Sequence, residues 1–517
     1  MINIQHATTD SGQFYYRFDD GPNHVWLHQK NLGGTPNGLV KLLSSSGITV
    51  AHKNDAAHLW GNVGRARDPF PGSILERPGW SLATGCFGLP DGNIVGLRDG
   101  VQVEPVYAGL HGVCDQKGTL AEWRSDVASP LSGQYIPMFA IMTALAGPLL
   151  AFVAMDDEPC FELWGRKGTG KTTVQKFSNS VFGPPEFVGS PRLALNLSEY
   201  VADPMKALAS RSDLMVNIDG ADAYTAGLSA ARALDIYKAI AFPRNNGVPS
   251  LEAGRSIMMI STSRPLYELV GVHSATAIAA SSRIMTIPID PKYPCGIFNR
   301  KPDDDEPIAT YVERITRSSR RLYGVAGREF LSRLLADHQK SPEKLLADLI
   351  RYTAKFRQKV GVDGSDGDAK RKADGFAIIY AGGRLAQRYR ILPKKWKCGQ
   401  AIQNCYRLYV DNVNVPRPFA ERLINISKKK RVVDLDAKST STSIQKGNIF
   451  TRTRRGRNEL IIRTEFIERV FPDWATLKKN PEVKKLMLGD KPHKTAKRVL
   501  DGKKGIRCFV FQVPTMR

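Results

Sequence analysis

Gly165, Arg166, Lys167, Gly168, Thr169, Gly170, Lys171 and Thr172 fill the spacing GxxxxGK[ST], with Thr173 directly after. The glycines of such a loop let backbone N–H groups converge on phosphates, while Lys171 adds a positive charge and the Thr172 hydroxyl completes a magnesium shell. The expected ligands are therefore ATP and Mg²⁺. A second acidic group must help to hold the metal, and "DLMVNIDGAD" places Asp219 at the end of an apolar run, 48 positions beyond Lys171. Thr172 and Asp219 are thus the expected metal ligands. Gly220 follows, where most enzymes of this kind carry a carboxylate that activates the attacking water. Asp222 is the nearest alternative; it either takes that role or caps the next turn.

Further candidates lie downstream. "SIMMISTSR" ends in Ser261-Thr262-Ser263, where a hydroxyl, with Thr262 as the leading choice, either contacts the γ-phosphate or the attacking water or closes a Ser/Thr turn. "SSRIMTIPID" sets Arg283 at the start of an apolar run, from which an arginine in a ring assembly can reach a neighbour's nucleotide and stabilise transition-state charge. Arg244 and Arg255 flank the turn-rich "PRNNGVPSLEAGR" and either touch a nucleic-acid backbone or lie on a solvated loop; Asn246-Gly247 within it is a hairpin signal.

These residues need elements to position them. "CFELW", "DLMVNID" and "SIMMIST" alternate with helical patterns that begin at Gly170 and near Leu228, the signature of a parallel α/β sheet. The chain has 517 residues, too many for one core. Four regions are expected: a small β-rich region over 1–115, where Pro90-Asp91-Gly92 turns between two strand-like runs; an ATPase core over 116–300; a helical region over 301–426; and a basic winged-helix-like domain over 427–517. "YIPMFAIMTALAGPLLAFVAM" is long enough to span a membrane, but Gly147-Pro148 interrupts it and no Lys or Arg flanks it closely, so buried helices are expected instead. At 42% hydrophobic and 24% charged residues, the composition excludes wholesale disorder. The seven cysteines are odd in number and show no CxxC spacing, and the N-terminus lacks a leader pattern; a reduced, cytoplasmic setting without a zinc site is expected.

The segments "WRSDVASPLSGQYIPMFAIMTALAGPLL", "LWGRKGTGKTT", "ALNLSEYVADPMKALASRSDLMVNIDGAD", "MMISTS", "SSRIMTIPID" and "LYGVAGREFL" together resemble an ATPase domain of uncharacterised function from bacterial prophages and mobile islands, related to the minichromosome-maintenance-like AAA+ helicases of staphylococcal cassette elements. The resemblance runs from about Trp80 to Tyr409. It implies an α/β, P-loop AAA+ core in which Lys171 and Thr172 bind ATP and Mg²⁺, Asp219 is the Walker B acid, Ser261 or Thr262 is a sensor and Arg283 an arginine finger. It further implies that "RKADGFAIIYAGGRLA" is a helical sensor-two region, with Arg371 and Arg384 as undivided candidates. Gly220 departs from the family pattern.

Net charge is +24, and the stretch from Ser427 to Arg517 holds 24 basic and 9 acidic residues, hence +15 of that total. Arg452, Arg454, Arg455, Lys497, Arg498, Lys503 and Lys504 are the phosphate-contact candidates in it. The expected function is an ATP-dependent DNA helicase or translocase, assembled as a homo-oligomeric ring with no membrane partner. The alternative is an ATP-gated DNA-binding switch or replication initiator with weak hydrolysis.

Overall fold

The structure is a computed structural model of the whole chain. It describes all residues except 1, 10, 51–54, 67, 98–99, 108, 156, 188–191, 222–229, 243–253, 270–282, 291, 303–305, 363–366, 412–418, 429–431, 438–446, 455, 472–473, 475–477, 479–480, 489–507 and 514–517. Two compact units emerge: Met1–Ala226 with Ala239–Pro265 and Arg283–Asn412, and Gly227–Lys238 with Leu266–Ser282 and Val413–Arg517.

The first unit is mixed α/β. It opens on an antiparallel meander, β1 (Asn3–Thr8), β2 (Phe14–Asp19) and β3 (His24–His28). Two helices that the sequence reading did not separate out, Pro36–Ser45 and Asp55–Val63, supply Leu39, Leu43, Leu59 and Val63 to a core with Phe18. Thr35 starts the first of them by accepting the Gly38 N–H at 3.1 Å, with Pro36 in the first turn where its missing donor is not needed. Short strands follow: β4 (Ser73–Leu75), β5 (Gly79–Ser81), β6 (Cys86–Gly88), β7 (Ile94–Val95) and β8 (Val103–Pro105). β6 pairs antiparallel with β7 across the turn at Pro90-Asp91-Gly92, closed by Gly92 N–H to Leu89 O at 2.9 Å.

The centre is a five-stranded sheet of β9 (Cys160–Trp164), β10 (Leu195–Asn196), β11 (Leu214–Asp219), β12 (Ser256–Thr262) and β13 (Ile284–Pro288), in the order β10-β11-β12-β9-β13 and parallel throughout. Every residue of β12 is buried, as expected of a parallel strand covered on both faces. Residues Tyr135–Met155 do not form a membrane span. They fold as the helix Tyr135–Ala146 and a 3₁₀ turn Gly147–Ala151, apolar all round because they are enclosed on all sides. Among the described residues no helix is long and apolar enough to cross a membrane. The rings of Phe139 and Phe161 lie 5.0 Å apart, and Phe376 of the helix Gly367–Arg388 stacks edge-on to Phe161 at 5.1 Å. Gly382 and Gly383 permit that approach, since a Cβ there would meet Ala146 Cα at 3.1 Å and Met142 Sδ at 2.4 Å. Five helices, Ile308–Arg321, Val325–Lys340, Pro342–Lys359, Gly367–Arg388 and Cys398–Asp411, account for the helical pattern expected there.

The second unit contains a four-stranded sheet of β14 (Val433–Asp434), β15 (Ile449–Arg454), β16 (Arg457–Arg463) and β17 (Cys508–Gln512). β17 pairs antiparallel with β16, and Phe511 also forms an antiparallel bridge to Met487, with the Leu488 N–H donating to Val510 O at 2.8 Å. "ELIIRTEFIERVF" divides into β16 and the short helix Ile467–Val470. Pro481 starts the helix Pro481–Leu486, in the first turn where its missing donor is not needed. Phe419, Phe471, Trp474 and Phe511 form the core beside this sheet.

Asp213 braces the first unit. Its carboxylate is 1% exposed and accepts from Arg255 Nε at 2.7 Å, Arg255 Nη2 at 3.0 Å and the Trp80 N–H at 3.0 Å, joining β5 to the starts of β11 and β12. Burial alone would lower the Arg255 pKa, but the Asp213 hydrogen bonds and charge raise it above its ordinary value. Asp213→Ala leaves a half-buried guanidinium and the Trp80 N–H without their acceptor and is expected to cost about 2–3 kcal/mol of stability, read as a lowered urea midpoint.

Candidate functional site

β9 delivers the chain to the glycine-rich loop at Gly165, whose N–H donates to Thr262 O at 3.2 Å. Gly168 (φ +79°) and Gly170 (φ +92°) take left-handed conformations that a side chain would strain, and the latter begins the helix Lys171–Asn179. Lys171 is buried, and its Nζ donates to Gly165 O at 2.8 Å and Arg166 O at 3.0 Å, inside the curve of the loop. Arg166 and Lys167 are exposed, whereas Thr169 and Thr173 are half-buried. The ammonium and the helix N-terminus therefore face one concavity, which is how an anion is held.

Opposite stands Asp219. The Thr172 hydroxyl donates to its Oδ2 at 3.3 Å and Oδ1 at 3.4 Å, and the Ser261 hydroxyl to Oδ1 at 2.6 Å. Of the hydroxyls at the end of β12, Ser261 faces the acid, and Thr262 does not. Thr262 donates instead to Glu162 Oε1 at 2.7 Å, a buried carboxylate that also accepts from Thr286 at 2.8 Å. Strand alternation sends neighbouring side chains to opposite faces, so only one of the two can meet Asp219. A buried amide network holds the loop helix to the acid's strand: Gln175 Nε2 donates to Met259 O at 3.0 Å and Ile218 O at 3.3 Å, and Asn217 Nδ2 to Ser178 Oγ at 3.0 Å and Asn179 Oδ1 at 2.6 Å. Neither amide belongs to a recognisable motif; two polar residues inside otherwise apolar patterns are their only signal in the sequence.

Gly220 has φ +74°. A Cβ there would meet only Asn196 Oδ1, at 4.0 Å, so backbone conformation rather than space selects glycine. Asp222 and Arg244 lie outside the described residues, as do Arg455, Lys497, Arg498, Lys503 and Lys504.

The arginine candidates separate. Arg283 precedes β13 at the end of the sheet away from the loop, since Ile284 pairs with Cys160 and the loop starts after Trp164, roughly 16 Å further along. Its Nε meets Asp157 Oδ1 at 3.1 Å, and its guanidinium stacks 4.5 Å from the Phe242 ring centre. Arg371 Nε meets the other Asp157 oxygen at 3.1 Å. One carboxylate thus brings Arg283 and Arg371 together, while Arg384 is exposed and bonds to Gln387 at 3.1 Å. Arg255 corrects the reading of a loop-margin contact, because its guanidinium is committed to Asp213. In the second unit Arg452 is likewise internal, paired with Glu459 at 2.6 Å across β15 and β16 with side chains 10% and 9% exposed. Arg454 remains exposed at the hairpin end, opposite Arg457 across the Gly456 turn.

Among the described residues no group of three or more His, Cys, Asp or Glu could hold a metal ion by itself. Thr172 and Asp219 nonetheless match magnesium, which takes one or two protein oxygens and fills its shell with water and phosphate. Gly220→Ala is expected to lose about 1–2 kcal/mol from left-handed strain, read as a lower thermal midpoint.

A family model described as a domain of unknown function (DUF927) matches residues 7–201. No curated protein matches the chain. Among solved structures, one described as "SCCmec type IV Cch - active helicase" is similar with a TM-score of 0.60 at 13% identity, covering 99% of this chain and 93% of that one. Another, "The A form apo structure of NrS-1 C terminal region-CTR", covers 71% of this chain and 79% of that chain at 11% identity and a TM-score of 0.26. The first likeness extends over nearly the whole chain and establishes a shared mixed α/β fold with a structure described as a helicase.

Proposed function

We propose that the chain is an ATP-dependent DNA helicase or translocase with a P-loop AAA+ core, acting as a homo-oligomeric ring in replication of a prophage or other mobile element. One observation carries the reading: the loop ammonium of Lys171 and the Thr172–Asp219–Ser261 cluster meet at the same edge of a parallel sheet. The loop amides and Lys171 bind the β- and γ-phosphates and neutralise charge that grows there as the bond breaks. Thr172 Oγ1 and an Asp219 oxygen would hold magnesium, which would supply neutralisation of phosphate charge. Ser261 fixes the rotamer of Asp219 and can present its hydroxyl to the attacking water.

Arg283 would act on the nucleotide of an adjacent subunit, a reading supported by its distance from its own loop. Regions 116–300 and 301–426 then serve as ATPase core and lid, and 427–517 as a winged-helix-like DNA-binding domain, with Arg454 and the basic residues beyond it contacting phosphates. DNA binding of this kind is electrostatic and weakens steeply with salt.

Gly220 favours a second reading. Its positive φ favours glycine, so the position directly after Asp219 carries no carboxylate to activate water, which suits an ATP-gated switch or initiator with slow turnover. Lys171→Ala is expected to abolish DNA-stimulated ATP hydrolysis while DNA binding stays within about twofold; unchanged hydrolysis would overturn the proposal. Ser261→Ala is expected to slow hydrolysis by roughly 10–100-fold, the range of one lost hydrogen bond to a charged group. Strand displacement from a forked DNA by the full chain separates the readings, since a switch binds the fork without unwinding it.

A further inference from the structure

The long helix Gly367–Arg388 ends on a residue that strains the backbone. The Arg390 N–H donates to Gln387 O at 3.0 Å and the Ile391 N–H to Ala386 O at 2.8 Å, a helix-ending turn whose left-handed position usually falls to glycine. Arg390 occupies that position with φ +56°, one of two non-glycine residues with positive φ among the described residues. Strain kept at such a position points to a use for the side chain, and Arg390 lines a cavity.

That cavity, of about 590 Å³, lies between the helix Leu120–Trp123, the helix Val325–Lys340 and the residues that end Gly367–Arg388, all within the first unit. A second irregularity meets it. The helix Leu120–Trp123 runs on into a π-turn, in which the Ser129 N–H donates to Arg124 O at 2.8 Å, and such turns recur at functional sites. Arg124, at its start, donates through Nη1 to Arg390 O at 2.6 Å, so the two irregular segments meet although 266 positions apart.

Four arginines line the cavity, and their partners divide them. Arg333 pairs with Glu329 at 2.6 Å and also donates to Tyr389 O, while Arg388 pairs with Asp348 at 2.5 Å and with Asp337. Asp337, the one carboxylate among the lining residues, also accepts from the Tyr389 hydroxyl at 2.7 Å. Burial, then that hydrogen bond, raises the Tyr389 phenol above its ordinary pKa, so it adds no negative charge. Arg124, half-buried, and Arg390, exposed, have no carboxylate partner among the described residues. Two guanidinium groups are thus left unneutralised in one cavity, and their planar forks match phosphate oxygens.

We propose that this cavity binds a small phosphorylated ligand, its phosphate held by Arg124 and Arg390 and its remainder set against Leu120, Ala121 and Ala336. The volume lies within the roughly 300–1,000 Å³ of ordinary small-ligand pockets, which favours a small molecule over a nucleic-acid strand. No residue of the phosphate loop lines it, so the inference stands apart from the nucleotide reading above.

Calorimetric titration of the full chain with pyrophosphate tests it, in the Lys171→Ala variant so that the loop ammonium does not contribute. Pyrophosphate is expected to bind, and adding Arg390→Gly is expected to weaken it by about tenfold or more, the loss of a hydrogen bond to a charged group. The same substitution relieves the left-handed strain and is expected to raise the thermal midpoint, which separates lost binding from lost folding. Arg124→Ala is expected to weaken pyrophosphate in the same way. Absence of binding to the Lys171→Ala chain, or undiminished binding after Arg390→Gly, would overturn the proposal. A single-stranded oligonucleotide weakened by Arg390→Gly when pyrophosphate is not would assign the arginines to a nucleic-acid strand, and would overturn it too.

Discussion

The parallel alignment of β9, β11 and β12 is the constraint on which the site depends. Their carboxyl ends lie side by side, so the loop leaving Trp164, the acid at Asp219 and the hydroxyl at Ser261 emerge at one edge. A slip of one residue in β12 would turn Ser261 away and bring Thr262 round, because side chains alternate with a period of two. Gln175 and Asn217 resist such a slip, since their amides bind carbonyls and side chains whose spacing holds in one register only. Buried polar groups of this kind are costly when unmatched and so specify a single arrangement.

Two further contacts keep the sheet in place from the far side. The Phe139–Phe161–Phe376 cluster ties β9 to the buried helix Tyr135–Ala146 and to the long helix Gly367–Arg388. Asp213 fixes the starts of β11 and β12 to the N-terminal strand β5 through Arg255 and Trp80. Both ends of the acid's strand are therefore anchored by buried polar groups, one by ions and one by amides. Asp157 adds a third polar junction by holding Arg283 and Arg371 together. In the second unit the same economy appears at Arg452 and Glu459, an internal pair across β15 and β16.

Much of this was legible in the chain. GxxxxGK[ST] after "CFELW" set the loop, its helix and Lys171, because only glycine supplies the positive φ at 168 and 170 and because the motif needs a strand before it. Apolar runs gave the strands, and the uninterrupted apolarity of 135–155 gave burial, since enclosure on all sides removes any polar face. Composition alone could not divide the arginines. Arg255 and Arg452 look as basic in the sequence as Arg454, yet two of the three are neutralised by carboxylates distant or opposite in the chain.

Sequence by itself determined the phosphate loop, the run of strands, the helical stretch after residue 308 and the basic end of the chain, each of which is a local pattern of residue types. Tertiary structure decided which hydroxyl meets Asp219 and where Arg283 and Arg371 converge. The reason is physical: strand order and register relate residues 40 to 130 positions apart, and no local periodicity records which of them become neighbours.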